Sequence, residues 1–330
     1  MTAPYREPTS GLGTQPGDEA ERETALAPNA GAALGAETPP PEGGEVMVLA
    51  SGWKLAVRSF LENKLAVVGL LIVVLMVLFC FVGPVFYHGN IYAANPANSD
   101  LAPGGAFPLG TDTNGFDILA QLMHGGQESL EVGFLAAAIA TVIGTIWGAV
   151  AGLAGGVVDM VMMRIVDVLL AIPFLFIVLI LATKFSATVV TLSIVLGIFS
   201  WLVPSRLVRG EVLTLRTRDF IAASKVMGAT QRRQAFRHLI PNALSVVIVN
   251  VTFQVADAIL ALAFLGFLGF GLTYPHVDWG DMLSNAEQAL SDGYWWQVYP
   301  VGFCLVIVIM AINFIGDALR DAFDVRLRRR

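Results

Sequence analysis

Six apolar stretches, each long enough to cross a lipid bilayer, constrain the fold of this chain more than any other feature. A transmembrane helix needs about 20 apolar residues to cross the ~30 Å hydrocarbon core. Backbone polar groups inside a bilayer must bond to one another, so such stretches form helices. The sequence therefore predicts an all-α integral membrane protein with six transmembrane helices, and Pro173 predicts a kink in the third. The stretches cover residues 65–87, 131–155, 163–183, 188–208, 243–270 and 297–318.

Residues 1–50 differ from the rest of the chain. They contain seven prolines and eight acids against two bases, with few large apolar side chains. Such a segment buries too little surface to offset the entropy of ordering, so we predict a disordered acidic tail. Residues 51–330 form the predicted transmembrane domain. That domain has equal numbers of acids and bases, which gives no indication of nucleic-acid binding.

The basic residues are distributed unevenly along the transmembrane domain. Residues 65–163 and 239–319 contain no Lys or Arg. Lys and Arg in short loops favour the cytoplasmic side of a membrane. The distribution therefore predicts that both termini are cytoplasmic and that the acidic loops near residues 88–130 and 271–296 face outward.

One cytoplasmic connection, residues 211–241, is hereafter called the basic segment. We predict that Asp219 caps a short helix, that Gly228 ends it in a left-handed conformation, and that Thr230 begins a second helix. This second helix is predicted to end before Pro241, which begins the fifth span. Two short helices joined at a glycine suit docking to a partner. A basic loop that sets topology and touches anionic lipid headgroups is equally favoured by charge alone.

The basic segment also carries a family resemblance. It reads Ala222-Ala223-Ser224, three residues, Gly228, nine residues, and then His238-Leu239-Ile240-Pro241. This spacing resembles the coupling loop of ABC importer permeases, and its ending looks like the dipeptide and oligopeptide branch. The resemblance implies contact with ATPase subunits through Asp219, Phe220, Ala222, Ala223, Ser224, Gly228, Arg232, His238 and Pro241.

Further matches extend the resemblance from about residue 50 to the C-terminus. It implies a type I ABC importer permease architecture with a cytoplasmic coupling helix, of the subunit type with an extended N-terminus and a Gly-Thr-Asp external loop. The implied partners are a second permease, two cytoplasmic ATPases or one fused ATPase, and an external binding protein. ATP and Mg would be bound by the partners, and this chain would hold no cofactor. The matching residues are 108–112, 129–130, 163–167, 206–210, 279–283 and 316–321.

Four positions depart from the family pattern. Ala222 stands in place of a Glu, which removes a capping box with Asp219. Phe116 and Gln127 each replace an Arg, and Leu262 replaces a Glu. Charged groups of the family are thus missing from the predicted outer half. The family's substrate range therefore cannot be transferred directly to this chain.

Asn250, Gln254 and Asp257 recur at helical spacing in the fifth span and share one face. Polar groups at membrane depth are costly and usually face a cavity or a partner. We predict that these three line a translocation path, with hydrogen bonding between helices as the alternative. The acidic loops are predicted to dock the binding protein through Asp112, Asp117, Asp278 and Asp281.

Gly144, Gly148, Gly152 and Gly156 form a stripe of small residues that favours close approach of another helix. A helix of the same chain is the favoured neighbour, and a second subunit is the alternative.

No enzymatic or metal site is predicted in this chain. It has no Gly-x4-Gly-Lys-Ser/Thr phosphate loop, and its four histidines lack metal-ligand spacing. The preferred function is the permease subunit of an ATP-driven importer of dipeptides or oligopeptides in a bacterial plasma membrane. A secondary transporter or channel acting alone is one alternative, although no inverted repeat is evident. A membrane enzyme, or a permease for nickel chelates or haem, is another.

Overall fold

The structure is a computed structural model that describes residues 52–89 and 91–328. The predicted tail, residues 1–50, lies outside the described residues. Within them the chain is helical and contains no β-strand. The helices are α1 (Gly52–Glu62), α2 (Lys64–Phe81), α3 (Gly83–Phe86), α4 (Ile118–Ala154), α5 (Gly156–Leu170), α6 (Phe174–Ala182), α7 (Val189–Ser200), α8 (Leu202–Arg216), α9 (Asp219–Val226), α10 (Gln231–Gln234), α11 (Ile240–Phe267), α12 (Trp279–Asn285), α13 (Glu287–Ser291) and α14 (Trp295–Arg328).

The number of membrane-spanning elements agrees with the predicted six when each bent helix pair is taken as one span. Four helices are long and apolar enough to cross alone. The pairs α5–α6 and α7–α8 bend by 72° and 44°. The bend between α5 and α6 occurs at Pro173, as predicted, because proline cannot continue the hydrogen-bond ladder.

Helix α4 lies at the centre of the bundle and packs against α7, α8 and α11. It begins at Ile118, well before the apolar stretch that predicted it. Asp117 accounts for this early start, since its carboxylate accepts hydrogen bonds from the backbone N–H groups of Leu119 and Ala120.

The glycine stripe on α4 faces α8. A Cβ at Gly144 would lie 2.6 Å from the Cβ of Pro204, and one at Gly148 would lie 2.3 Å from the Ser205 carbonyl oxygen. A Cβ at Gly152 would lie 2.9 Å from Val212. The predicted contact within the chain is therefore confirmed for these three. The prediction is wrong for Gly156, which begins α5 and faces open space.

Ion pairs fasten α5 to α8. The Nη2 group of Arg209 donates to the Asp159 carboxylate at 2.6 Å, and its Nε group donates to the second oxygen. Arg206 pairs with Asp167. A bidentate guanidinium–carboxylate contact has a fixed geometry. Helix α8, which leads into the basic segment, is thus joined to α5 by directional contacts as well as apolar packing.

Candidate functional site

The first half of the basic segment is helix α9. The first hydrogen bonds of α9 are accepted by the carbonyl of Arg218, from the N–H groups of Ile221 and Ala222. The predicted capping role of Asp219 is therefore wrong, because Asp219 is already the first helical residue. Its carboxylate still lies at the positive end of the helix dipole.

Gly228 turns the chain out of α9, as predicted. Its φ is +81°. The N–H of Ala229 bonds to the carbonyl of Ser224 at 3.1 Å, the hydrogen bond that marks a Schellman helix end. A Cβ at Gly228 would meet nothing within 4 Å. Backbone conformation, not crowding, is thus the reason that a glycine suits this corner.

The second half of the segment differs from the prediction. The Thr230 side chain accepts from the N–H of Arg233 at 3.3 Å and caps α10, as expected. A π-turn, Ala235–Leu239, then joins α10 directly to α11. The predicted stop before Pro241 is wrong, because the wider π-turn and a first-turn position accommodate the proline ring. The segment and the fifth span therefore form one continuous helical element.

The basic segment has a buried face and an exposed face. Ile221 and Leu239 pack against α8 and α11 in an apolar cluster with Val212 and Leu215. Ser224 is buried as well, and its contact with a partner stays a prediction. The side chain of Arg232 is not among those described, and His238 is half-buried. Six other predicted contact residues are exposed: Asp219, Phe220, Ala222, Ala223, Gly228 and Pro241.

Two exposed apolar residues were missed by the sequence analysis. Val226 and Met227 are 89% and 81% exposed and precede the Gly228 corner. Phe220, also on α9, is 42% exposed. Exposed apolar patches rimmed by polar residues mark interaction sites. The sequence did contain a signal for this exposure. Val226 and Met227 come directly before the glycine that ends the helix, where the helix itself cannot cover them.

The three polar residues of the fifth span border one cavity. Asn250, Gln254 and Asp257 line a space of about 510 Å³ together with residues of α5 to α8. The Gln254 amide donates to the carbonyl of Ser200 at 2.7 Å, so Gln254 also serves the alternative role of joining two helices. Asp257 is exposed. The helical spacing thus brings the three predicted residues together.

Three of the four predicted docking carboxylates are buried. Asp112 accepts hydrogen bonds from the N–H groups of Asn114 and Phe116 at 2.9 and 2.8 Å. Asp117 caps α4 and accepts a hydrogen bond from the Tyr87 hydroxyl. These carboxylates and that of Asp278 are already bonded inside the chain, and their role in docking stays a prediction. Asp281, which is half-buried, bonds to Asn285.

Asp278 organises the loop between α11 and α12. Its carboxylate accepts three backbone hydrogen bonds, from Leu272, Gly280 and Asp281, at 2.8–3.0 Å. A Cβ at Gly266 would lie 2.1 Å from one carboxylate oxygen, so the glycine provides the space. Burial raises the pKa of Asp278 to about 6, although the backbone N–H groups act in the opposite direction.

The raised pKa has a defined consequence for the loop. The folded-state pKa exceeds the ordinary value of ~3.9, so the folded loop binds its proton more tightly than the unfolded chain does. The loop therefore gains stability as the pH falls through about 6 towards ~4 and loses it as the pH rises through that window.

Asp278→Ala is expected to destabilise the outer loop by about 3 kcal/mol or more, because three buried N–H groups would lose their acceptor. Asp281→Ala is the matched control and should cost little, since that side chain bonds only to the exposed Asn285. Limited proteolysis of the purified chain would measure the difference. Equal protease resistance of the two variants would contradict this account of Asp278.

The four departures from the family pattern lie in different surroundings. Leu262 is fully buried in an apolar cluster with Leu192, Leu196 and Leu265, where an unpaired carboxylate would be costly. Phe116, just before α4, and Gln127, on α4, are half-buried, and Ala222 is exposed on α9.

Two family models match this chain. Residues 116–329 match the family described as "Binding-protein-dependent transport system inner membrane component". Residues 51–103 match the "N-terminal TM domain of oligopeptide transport permease C". The matched residues include all six spans and the basic segment, whereas residues 104–115, between α3 and α4, lie outside both matches.

Curated relatives cover most of the chain. The oligopeptide transport system permease protein OppC of Escherichia coli K12 is 40% identical over 280 residues, which cover 84% of this chain and 92% of the relative. OppC of Bacillus subtilis 168 is 38% identical over 84% of this chain and 90% of its own length. The dipeptide transport system permease protein DppC of Alkalihalophilus pseudofirmus is 36% identical over 88% of this chain and 95% of its own length.

Proposed function

Since the chain belongs to the family of binding-protein-dependent transport system inner membrane components, we propose that it is the membrane-spanning permease subunit of an ATP-driven importer of dipeptides or oligopeptides. One observation carries the proposal: the similarity to relatives named as oligopeptide and dipeptide permeases covers 84–88% of this chain. The same relatives make peptides the preferred cargo over nickel chelates or haem.

Family membership implies partners of three general kinds: another permease, ATPases and a binding protein. We propose a heterodimer with a second homologous permease, served by two cytoplasmic ATPases or one fused ATPase that bind ATP and Mg. Both termini and the basic segment would lie in the cytoplasm, which the clustering of Lys and Arg at that end of the bundle supports. The membrane is the bacterial inner membrane.

The exposed face of the basic segment is the proposed ATPase contact. Phe220, Val226 and Met227 offer apolar area that a partner would bury, and the corner at Gly228 sets the angle between α9 and α10. Movement of a docked ATPase would reach the fifth span through the π-turn, because no loop separates the two. The spans would thereby open alternately to each side.

The cavity beside α11 is the proposed part of the translocation path in this subunit. Asp257→Asn is expected to lower the peptide transport rate severalfold while the subunit accumulates normally. The reason is that Asp257 is exposed to the cavity and forms no ion pair with any described residue, so no buried partner loses its counter-charge. Asp292→Asn, an exposed change in an outer loop, is the control. Failure of Asp257→Asn to accumulate would support a structural role, and unchanged transport would remove Asp257 from the path.

Deletion and purification together test the proposed function. Uptake of a set of labelled dipeptides and longer peptides should disappear when this subunit is deleted and return when it is restored. An affinity-tagged chain should co-purify ATPase subunits. A chain that transports alone in liposomes would instead be a secondary transporter or channel, and unchanged peptide uptake in the deletion strain would exclude peptides as the cargo.

A further inference from the structure

A second cavity lies at the end of the bundle that carries the basic segment. It has a volume of about 450 Å³ and lies between α8, α11 and α14. Asn250 and Phe253 line both this cavity and the first one. The two spaces therefore adjoin along one face of α11, and a molecule leaving the first cavity towards the basic segment would enter the second.

The second cavity contains polar groups that lack partners among the described residues. Glu211 and Arg320 both line it, yet neither forms an ion pair within the described residues. Glu211 is half-buried, and Arg218 acts on its carboxylate through space without an ion-pair contact. The buried Asn250 Oδ1 atom has no hydrogen-bond donor in the described part of the chain.

These groups define the chemistry of a fitting molecule. A carboxylate selects an ammonium group, a guanidinium selects a carboxylate, and an amide oxygen selects an N–H donor. Two opposite charges that do not pair with each other suit a ligand that carries both complementary charges. The remaining walls, which include Val246 and Val249, are largely apolar and would accept side chains of varied shape.

We infer that the second cavity is an exit site that holds a peptide by its free termini, with Glu211 at the ammonium group and Arg320 at the terminal carboxylate. The inference rests on the proposed function, since it assumes a peptide cargo. It adds that this permease itself recognises both peptide ends after the binding protein has released the cargo.

Protection of an introduced cysteine tests the exit site in the assembled complex. Ser245 lines the cavity, and the native Cys80 and Cys304 are buried, so Ser245→Cys offers the thiol to be labelled. In inside-out vesicles, a free dipeptide should slow the reaction of the Ser245→Cys thiol with a membrane-impermeant thiol reagent. Thr217→Cys, exposed and outside the cavity, is the matched control and should react equally with or without peptide.

Blocked peptides and charge variants make the test specific. N-acetyl and C-amide dipeptides should each protect at concentrations about tenfold higher, because each lacks one charge-assisted hydrogen bond. Glu211→Gln should weaken protection by the free dipeptide but not further weaken that by the N-acetyl form. Arg320→Gln should likewise weaken protection by the free dipeptide but should not further weaken protection by the C-amide form.

The outcomes separate this inference from the proposed function. If the Ser245→Cys thiol reacts equally with and without dipeptide in a complex that imports peptides, the exit site is wrong and the importer stands. If that thiol reacts in the isolated subunit but not in the complex, a neighbouring subunit fills the cavity, which also overturns the exit site. Val249→Cys replaces Ser245→Cys if the latter fails to accumulate. Loss of the proposed function would appear separately, as absence of peptide import by the wild-type complex.

Discussion

Gly148→Val is expected to abolish stable accumulation of this chain in the membrane. Even a Cβ at this position would lie 2.3 Å from the Ser205 carbonyl oxygen and 2.9 Å from the Arg209 backbone nitrogen. Both atoms belong to the backbone of α8, which cannot rotate away as a side chain can. Overpacking costs about 1–3 kcal/mol and more where the backbone must shift. Separation of α4 from α8 would also disturb the ion pair between Asp159 and Arg209.

The level of the subunit in membranes and its melting temperature in detergent would measure this effect. Gly210→Val is the matched control, because a Cβ at Gly210 on α8 would meet nothing within 4 Å. We expect near-normal accumulation of the control. A Gly148→Val chain that accumulates and melts like the wild type would show that α4 and α8 do not pack at this glycine.

Gly228→Val is expected to leave a chain that inserts and accumulates normally but does not couple ATP hydrolysis to import. A β-branched residue at φ +81° is a conformational outlier. The left-handed conformation costs an L-residue roughly 1–2 kcal/mol, which would redirect α10 relative to α9. The spans are spared because no described atom lies within 4 Å of the new Cβ position.

Two measurements identify this uncoupling: the amount of ATPase that co-purifies, and the ATP hydrolysed per peptide imported. Gly228→Asn should retain much of the import, since asparagine tolerates the left-handed region better than valine. Gly210→Val again controls for added bulk. Normal import by Gly228→Val with ATPases bound would mean that the basic segment only sets topology.

Patterns that depend on neighbouring residues predicted the structure well. Apolar length indicated the spans, Pro173 indicated the bend, and the position of Gly228 indicated the helix corner. These features follow from backbone geometry within a few residues. The spacing of Asn250 and Asp257 likewise placed them on one cavity, because helical periodicity is a local property.

Features that depend on distant contacts were predicted poorly. Asp278 looked like an exposed charge, yet it is buried because Leu272 and two glycines of α11 and the following loop close around it. Similarly, Glu128 on α4 accepts a hydrogen bond from the Val277 N–H at 3.0 Å across a long stretch of sequence. The charge and sequence position of a loop carboxylate do not specify whether it is buried. The sequence alone therefore could not distinguish a carboxylate that docks a partner from one that caps a helix.

The uninterrupted path from the π-turn into α11 gives the fifth span the mechanics of a lever. At 1.5 Å per residue, about 33 Å of helix separates Ala235 from Asp257. The hydrogen bond from Gln254 to Ser200 holds α11 three residues before Asp257 and provides a pivot. A tilt of roughly 5° about that point would displace Ala235 by about 2.5 Å while Asp257 moves by only a fraction of an ångström. A large displacement at the basic segment would therefore become a small one beside the cavity.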